Sequence, residues 1–468
     1  MSGNRMTTYF DQVDHAQLLC DFPIADTFRS TFAAISRDEL YARQNDRFMQ
    51  LMQRVWQIPF YQRLYTQHGL EPGDIRHLDD LRKLPVYSKA DLMQSIEAHP
   101  PYGDFHGMET SDARAILHTT SGTTGTPQVL LFGPKSREIQ NLLLARAYHF
   151  QGLRETDVVH SVYGFGMING GHYIRETLLH WTRAMLLPAG TGVETSSRQQ
   201  VALMRDFGAT CLVGFADYLK RLADVAQELG IIPGEHIPMR MLIGHLGRED
   251  RRALCDAWGG AEAYDWYGVG DTGIIASEGP DHDGLYVWED AHYLELLDVD
   301  SAEPVTHGAP GDMVVTVLFK DDIYPIVRFN THDVSAFETS SSSLDLNLRR
   351  IRGFLGRSDN MVKLRGINIF PQAIGPLLDV RPEFTGEFIC RAERDDTGRD
   401  HFTVMAEIAA APETYPHLSP VYRELLKTKL GITVDVELVS PGALSHLTGI
   451  ETRQKPVRLL DARPESML

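Results

Sequence analysis

From Arg37 to His68 apolar and aromatic residues recur at helical spacing, with Leu40, Phe48, Leu51, Met52, Val55 and Trp56 on one stripe, until Pro59 interrupts the pattern. A long packing helix is expected there. Between Asp112 and Phe132 the pattern changes: a β-prone stretch, Ala115 to Leu117, runs into a polar loop, and a second apolar stretch, Val129 to Phe132, follows. This predicts strand, loop, strand. Helical spacing at Ile139 to Phe150, Thr195 to Phe207 and Leu219 to Leu229 alternates with short apolar runs at Val158 to Val162, Ala184 to Leu187, Thr210 to Val213 and Met239 to Ile243. Alternation of this kind predicts α/β layering around a largely parallel sheet.

After Pro280 strand-like stretches around Leu285 to Trp288, Tyr293 to Asp298 and Met313 to Phe319 are separated by Gly, Pro and Asp turns, which predicts a β-rich subdomain. Thr339 to Ser343 is a hydroxyl-rich run expected in a surface loop. From about Asn360 a new pattern begins. Phe388 to Arg391 and Phe402 to Ile408 form a hairpin around DDTGRD, Val421 to Leu430 a helix, and Ile432 to Val439 a further strand. The fold class is therefore α/β: a large multi-layer N-terminal domain with a β-rich subdomain, plus a small α+β C-terminal domain with its own core.

Composition narrows the function. With 468 residues, 43% apolar and 23% charged, the chain suits a globular protein of two domains. The N-terminus lacks a basic region followed by an apolar run, and no stretch is long and apolar enough to span a membrane, so a cytoplasmic location is expected. Cys20, Cys211, Cys255 and Cys390 are widely spaced, without a CxxC pair, and read as reduced packing residues. The net charge of -18 would repel a nucleic-acid backbone, so no nucleic-acid partner is expected, nor, with no spanning stretch, a membrane; small molecules or proteins are favoured.

The loop Thr119-Thr120-Ser121-Gly122-Thr123-Thr124-Gly125-Thr126-Pro127 carries six hydroxyls and two glycines in nine positions. Glycines allow close backbone approach to a ligand, and hydroxyls with free N–H groups can surround phosphate oxygens. A generic run of this composition is more often a polar hairpin loop, and GxxxxGK[ST] is absent. The order SGTTGTP, however, resembles the phosphate loop of the adenylate-forming superfamily of acyl- and aryl-CoA ligases, peptide-synthetase adenylation domains and luciferases. The stretches IPFYQRLY, YGFGMINGG, GLYVWED and GRSDNMVKLRGINIFP make the phenylacetate-CoA ligases the nearest subfamily in likeness.

That resemblance implies roles for further residues. Ser121, Gly122, Thr123, Thr124 and Gly125 would hold the triphosphate. YDWYGVGDTG is similar to the family's YGxTE motif, which implies Tyr267 and Gly268 at adenine and Asp271 at magnesium, with Asp in place of Glu. PIVRFNTHD implies Asp333 at the ribose hydroxyls, where two acceptor oxygens suit a vicinal diol, and Arg328 as a phosphate or structural partner. GRSD implies Asp359 as the pivot between domains 1–358 and 359–468 and Arg357 as a nucleotide contact, with Lys363 and Gly366 on the face that meets the thiol.

Lys455 occupies the place of the family's C-terminal catalytic lysine, whose ammonium would stabilise charge developing on the carboxylate and α-phosphate oxygens. Tyr163, Phe165, Gly166, Met167 and Ile168 are the candidates to line an acyl pocket, with Asn169 and His172 adding polarity. Gln128 stands where many relatives have a lysine, Gln454 where a glycine precedes the catalytic lysine, and Gly244-His245 where a Gly-Ala-Glu stretch is usual. The cofactors so implied are ATP, Mg2+ and coenzyme A, and the substrate an aromatic carboxylic acid. A carrier-protein pantetheine, an amine or another nucleophile remains open as acceptor, as do a catalytically altered binding homologue and a homodimer.

Overall fold

The computed structural model describes residues 8–108, 115–120, 128–246, 251–306, 308–364, 367–395, 400–450 and 456–463. Its contacts group residues up to 246 with 253–353 in one unit and residues from 354 onward in another. The division between Gly353 and Phe354 falls slightly before the expected pivot at Asp359.

In the first unit the expected helix begins at Arg37, where the Ser36 side chain and Glu39 form a reciprocal capping box, and runs to Val55. Pro59 does more than end a pattern: it opens a second helix, Pro59–Gln67, at a position where a missing N–H costs nothing. Ile116–Thr119 and Val129–Phe132 pair antiparallel, with Thr119 opposite Val129, so the phosphate-loop sequence joins two strands of a hairpin.

The principal sheet contains eight strands. Met185–Pro188, Val158–Ser161, Cys211–Phe215, Met241–His245 and Glu262–Val269 lie side by side in that order, all parallel. Gly273–Glu278, Leu285–Val287 and Arg350–Ile351 extend the sheet antiparallel. Leu285–Val287, expected in the β-rich subdomain, thus belongs to the main sheet, in which five of the eight strands run parallel.

Helices Ser197–Asp206 and Ala216–Glu228 cover one face of this sheet. Val201, Met204, Leu219, Leu222 and Val225 pack there with Leu212, Leu242, Ala263 and Trp258 in a continuous core. Each such residue, fully buried, contributes about 1.5–3 kcal/mol by leaving water. Leu222→Ala would leave a cavity and cost about 2–5 kcal/mol. Pro134–Phe150 is almost entirely buried, which places it in the interior of the unit. Asn169–Trp181 is a helix the sequence pattern does not announce. Its Gly170 and Gly171 lower helix propensity, but a Cβ on Gly171 would stand 2.5 Å from the Gly164 carbonyl oxygen, so close packing requires glycine there.

A second sheet orders Tyr87–Ser88, Phe329–Ser335, Gly311–Val317 and His292–Leu297; the first pair is parallel and the others antiparallel.

The second unit has a four-stranded sheet, Asp435–Val439, Asp400–Ile408, Phe384–Arg394 and Leu459–Asp461, with the central pair antiparallel and both outer pairs parallel. Helix Tyr415–Leu430 ends at Gly431 in the left-handed region, φ 72°, and buries Tyr422 and Leu426 against Cys390, Val404 and Ile408. The expected hairpin, helix and strand are all present, and Val362–Leu364 with Ile367–Ile369 adds a second hairpin. No helix among the described residues is long and apolar enough to cross a membrane.

Candidate active site

Parallel strands bring their carboxyl ends to one edge of a sheet, and in α/β folds that edge is where ligands bind. Here the edge carries the Tyr163 loop, which follows Val158–Ser161, then Phe215, His245 and the stretch from Tyr267 to Asp271. Phe215 pairs with His245 and Gly214 with Gly244 across adjacent strands. A Cβ on Gly244 would fall 1.7 Å from the Gly214 carbonyl oxygen, so this pair must stay bare.

Beside the bare backbone the rings form a row. Tyr163 lies 4.9 Å from Phe215, Phe215 stacks on His245 at 5.2 Å, and His245 lies 4.3 Å from Trp266. His245, to which the sequence assigned no role, is therefore a member of an aromatic wall.

Tyr267 and Asp333, expected on adenine and ribose, come from different sheets and meet directly. The Tyr267 hydroxyl donates to Asp333 Oδ2 at 2.8 Å and lies 3.3 Å from Thr331 Oγ1. Both side chains are buried. Gly268 adjoins the antiparallel turn: a Cβ there would be 2.2 Å from the Gly273 carbonyl oxygen.

Asp271 is buried, and burial raises its pKa against the opposing pull of Lys320 and of hydrogen bonds from Tyr324 and Gln128. Gln128 Nε2 donates to Oδ1 at 2.6 Å and the Tyr324 hydroxyl to the same oxygen at 2.9 Å. Lys320 Nζ donates to the Asp271 main-chain carbonyl at 3.0 Å and sits over the Tyr324 ring at 4.2 Å and the Phe132 ring at 5.0 Å. Burial pushes the Lys320 ammonium down to about 8, with Asp271 opposing. The sequence patterns and motifs signal neither Lys320 nor Tyr324.

The acyl-pocket candidates lie next to the phosphate loop. The Thr119 N–H donates to the Met167 carbonyl at 2.8 Å, and Thr119 bridges Ile168 in parallel. Tyr163 is buried and Phe165 and Ile168 half-buried, whereas Met167 is 54% exposed and contributes its carbonyl to this junction. Gly166 takes φ 88°, a conformation that favours glycine, and its carbonyl meets His172 Nε2 at 2.9 Å. His118, 5.1 Å from His172, is lowered to about 4 by burial, then by Arg137 and His172. Arg137 in turn holds Asn169 Oδ1 at 2.6 Å and Glu176 at 2.5 Å.

Two of the expected arginines engage neighbouring carboxylates. Arg328, anticipated as a phosphate or structural partner, makes two 3.0 Å bonds to Glu295 and donates to the Leu84 carbonyl at 2.5 Å. Arg357 makes a paired contact with Asp359, at 2.8 and 2.5 Å, within the second unit. A further cation, Lys89, lies 3.4 Å from Thr120 Oγ1 at the start of the phosphate loop. Ser121, Gly122, Thr123, Thr124, Gly125, Gly366 and Lys455 fall outside the described residues, and for Lys363 only the backbone, in Val362–Leu364, is described.

Among the described residues no group of three or more His, Cys, Asp or Glu could hold a metal. Magnesium does not require one, since it keeps several waters and is held by one or two carboxylates together with substrate phosphates. Asp271 fits that requirement, because both side-chain donors named above fall on Oδ1.

Residues 366–463 match the family model described as AMP-binding enzyme C-terminal domain. The phenylacetate-coenzyme A ligase of Pseudomonas putida is 30% identical over 431 residues, covering 88% of this chain and 93% of the relative. That of Aromatoleum evansii is 28% identical over 447 residues, covering 92% and 96%. A solved structure of 2-hydroxyisobutyryl-CoA ligase, in complex with 2-HIB-AMP and CoA in the thioesterification state, is similar with TM-score 0.66 and 26% identity, covering 92% of this chain and 91% of that one. The same ligase in its postadenylation state gives TM-score 0.80 at 24% identity over 92% and 90%, a likeness of fold. Fold and sequence together define an adenylate-forming enzyme, and the chain belongs to the phenylacetate-CoA ligase family.

Proposed function

We propose that this chain activates an aromatic carboxylic acid with ATP and passes the acyl group to coenzyme A, releasing AMP and pyrophosphate. The observation that carries the reading is the convergence, at the carboxyl edge of the parallel strands, of the Tyr267–Asp333 pair, Asp271, the base of the phosphate loop and the row of rings from Tyr163 to Trp266.

In this reading the ring of Tyr267 lies against adenine and Asp333 accepts from the ribose hydroxyls. Ser121, Thr123, Thr124 and the loop N–H groups hold phosphate oxygens, with Lys89 supplying positive charge at the loop's start. Tyr163, Phe165, Phe215 and His245 present an apolar, flat-sided wall suited to an aromatic ring. Asp271 would hold magnesium, which neutralises phosphate charge when bound.

A carboxylate oxygen forms a bond to the α-phosphorus and the bond to pyrophosphate breaks, giving acyl-AMP. The coenzyme A thiolate then attacks the acyl carbon, and the C–O bond to AMP breaks. Positioning supplies much of the rate, because the reactants are held in line. Lys455 stabilises the first transition state, and Asp359 is the pivot that exchanges the Lys455 face for the face bearing Lys363 and Gly366. The cytoplasm, which supplies ATP and coenzyme A, is the proposed location. The test is pyrophosphate release across a panel of aryl and alkyl acids, with and without coenzyme A. Acid-dependent pyrophosphate, fastest with an aromatic acid, is expected; ADP and phosphate as products would overturn the proposal.

A further inference from the structure

The replacement of a phosphate-loop lysine by Gln128 reads in sequence as a lost phosphate contact. In the structure Gln128 is 1% exposed and its amide is directed at Asp271, not left free for a phosphate. Its main chain does a second job. The Gln128 carbonyl accepts the Thr120 N–H at 3.0 Å, closing the base of the loop that runs from 121 to 127. One residue therefore ties the loop's base to the carboxylate that the functional reading places at the metal.

The charges explain why an amide stands here. Asp271 already has a cation beneath it, Lys320, on its main-chain carbonyl and sandwiched against the rings of Tyr324 and Phe132. A lysine at 128 would place a second ammonium against Oδ1 and turn a balanced pair into a positively charged cluster, which repels a divalent cation. The Gln128 amide donates the same hydrogen bond without adding charge. With Tyr324 it engages Oδ1 alone, so the carboxylate is fixed in orientation while Oδ2 receives no donor from either residue.

We propose that Gln128 is a positioning residue that, with Tyr324 and Lys320, orients the Asp271 carboxylate so that Oδ2 faces the metal–triphosphate, coupling the base of the phosphate loop to the metal site. The inference rests on the functional reading above and extends it to residues outside the family motifs quoted from the sequence. Outer partners of a metal-ligating carboxylate, when removed, typically reduce metal affinity about 10–100-fold.

The experiment measures Mn2+ affinity by electron paramagnetic resonance on the full chain, in the presence of a non-hydrolysable α,β-methylene ATP analogue, alongside AMP affinity without metal by calorimetry. Gln128→Lys is expected to weaken Mn2+ at least about tenfold, while AMP affinity without metal stays at the wild-type value. Tyr324→Phe, which deletes one hydroxyl and keeps the buried ring, is expected to weaken Mn2+ in the same direction and serves if Gln128→Lys does not fold. Wild-type Mn2+ affinity in the folded variants would overturn the inference alone. A fall in metal-free AMP affinity equal to the fall for Mn2+ would also overturn it, making Gln128 a nucleotide contact or a structural residue. Failure of the wild-type protein to bind Mn2+ with the analogue would overturn the functional reading along with it.

Discussion

The Tyr267 hydroxyl separates two roles that one aromatic residue combines: a ring for adenine and a donor for Asp333. Tyr267→Phe keeps the buried ring and deletes the 2.8 Å hydrogen bond to Asp333 Oδ2. Asp333 is 6% exposed, so water replaces the lost donor poorly. A hydrogen bond to a charged group is worth about 1.5–3 kcal/mol, and the variant should lose that much stability in urea unfolding monitored by circular dichroism.

Binding should partly reverse the loss. If Asp333 accepts from the ribose diol, saturating AMP brings two new donors to the same carboxylate, and AMP should stabilise Tyr267→Phe by at least as much as it stabilises the wild type. Asp333→Asn should lose most of the AMP-dependent stabilisation. The double variant should show a coupling of about 0.5–3 kcal/mol, because both single changes break one interaction. Additive effects in that cycle, or disappearance of AMP stabilisation in Tyr267→Phe, would refute the assignment of Asp333 to ribose and of the hydroxyl to Asp333.

Three further outcomes are expected. Lys455→Ala should slow acyl-AMP formation about 100-fold or more, the scale of losing one electrostatic stabiliser, and spare thioester formation from supplied acyl-AMP. Asp359→Pro should do the reverse, and equal losses in both half-reactions for both variants, measured in single turnovers, would defeat the two-step assignment. Gly244→Ala, whose Cβ would stand 1.7 Å from the Gly214 carbonyl, forces two strands apart and should cost about 1–3 kcal/mol of stability or more and weaken AMP binding, both read by AMP-dependent thermal shifts; a wild-type response would show that this edge is free to move.

The pair formed by buried Glu138 and solvent-exposed His180 sets a pH window. The hydrogen bond to Glu138 raises the His180 pKa above 6.5 despite partial burial, so its stabilisation is complete below 6.5 and is lost as pH rises through the raised value. For Glu138 burial pushes upward, but hydrogen bonds from His180, Tyr9 and Trp181 outweigh it and lower the value below 4.5, so its share is present above 4.5 and lost as pH falls through the lowered value. The stability difference between wild type and His180→Gln should be greatest between those limits and shrink above them, as followed by urea unfolding at stepped pH. A difference independent of pH would contradict the ion pair.

The parallel half of the main sheet was legible because its inner strands are apolar runs, Cys211–Phe215 and Met241–His245 among them, and each is followed by a helical pattern or a glycine turn. The helix Asn169–Trp181 was not, since Gly170 and Gly171 oppose helix locally, and the close packing against Tyr163 and Gly164 that calls for them is not visible in the pattern of apolar and polar residues. Leu285–Val287 was recognisable as a strand, but its partners, Gly273–Glu278 and Arg350–Ile351, are settled by sheet order and not by composition.

At the site, motif register located Tyr267, Asp271 and Asp333, whose side chains the fold does bring to one region. Lys320 and Tyr324 were invisible because a buried ammonium depends on rings and a carbonyl supplied from elsewhere in the chain, 49 residues away in the case of Asp271. Gln128 was visible only as a departure. Its meaning requires a partner 143 residues distant.

Acyl-AMP forms by attack of the acid's own carboxylate oxygen on the α-phosphorus of ATP. An aryl acid labelled with 18O in the carboxylate, incubated with ATP, Mg2+, coenzyme A and the full chain, distinguishes this from other routes by mass spectrometry of the products. One labelled oxygen should appear in the phosphate of AMP for each acyl-CoA formed, with none in pyrophosphate. Label in inorganic phosphate, or unlabelled AMP alongside acyl-CoA, would contradict it.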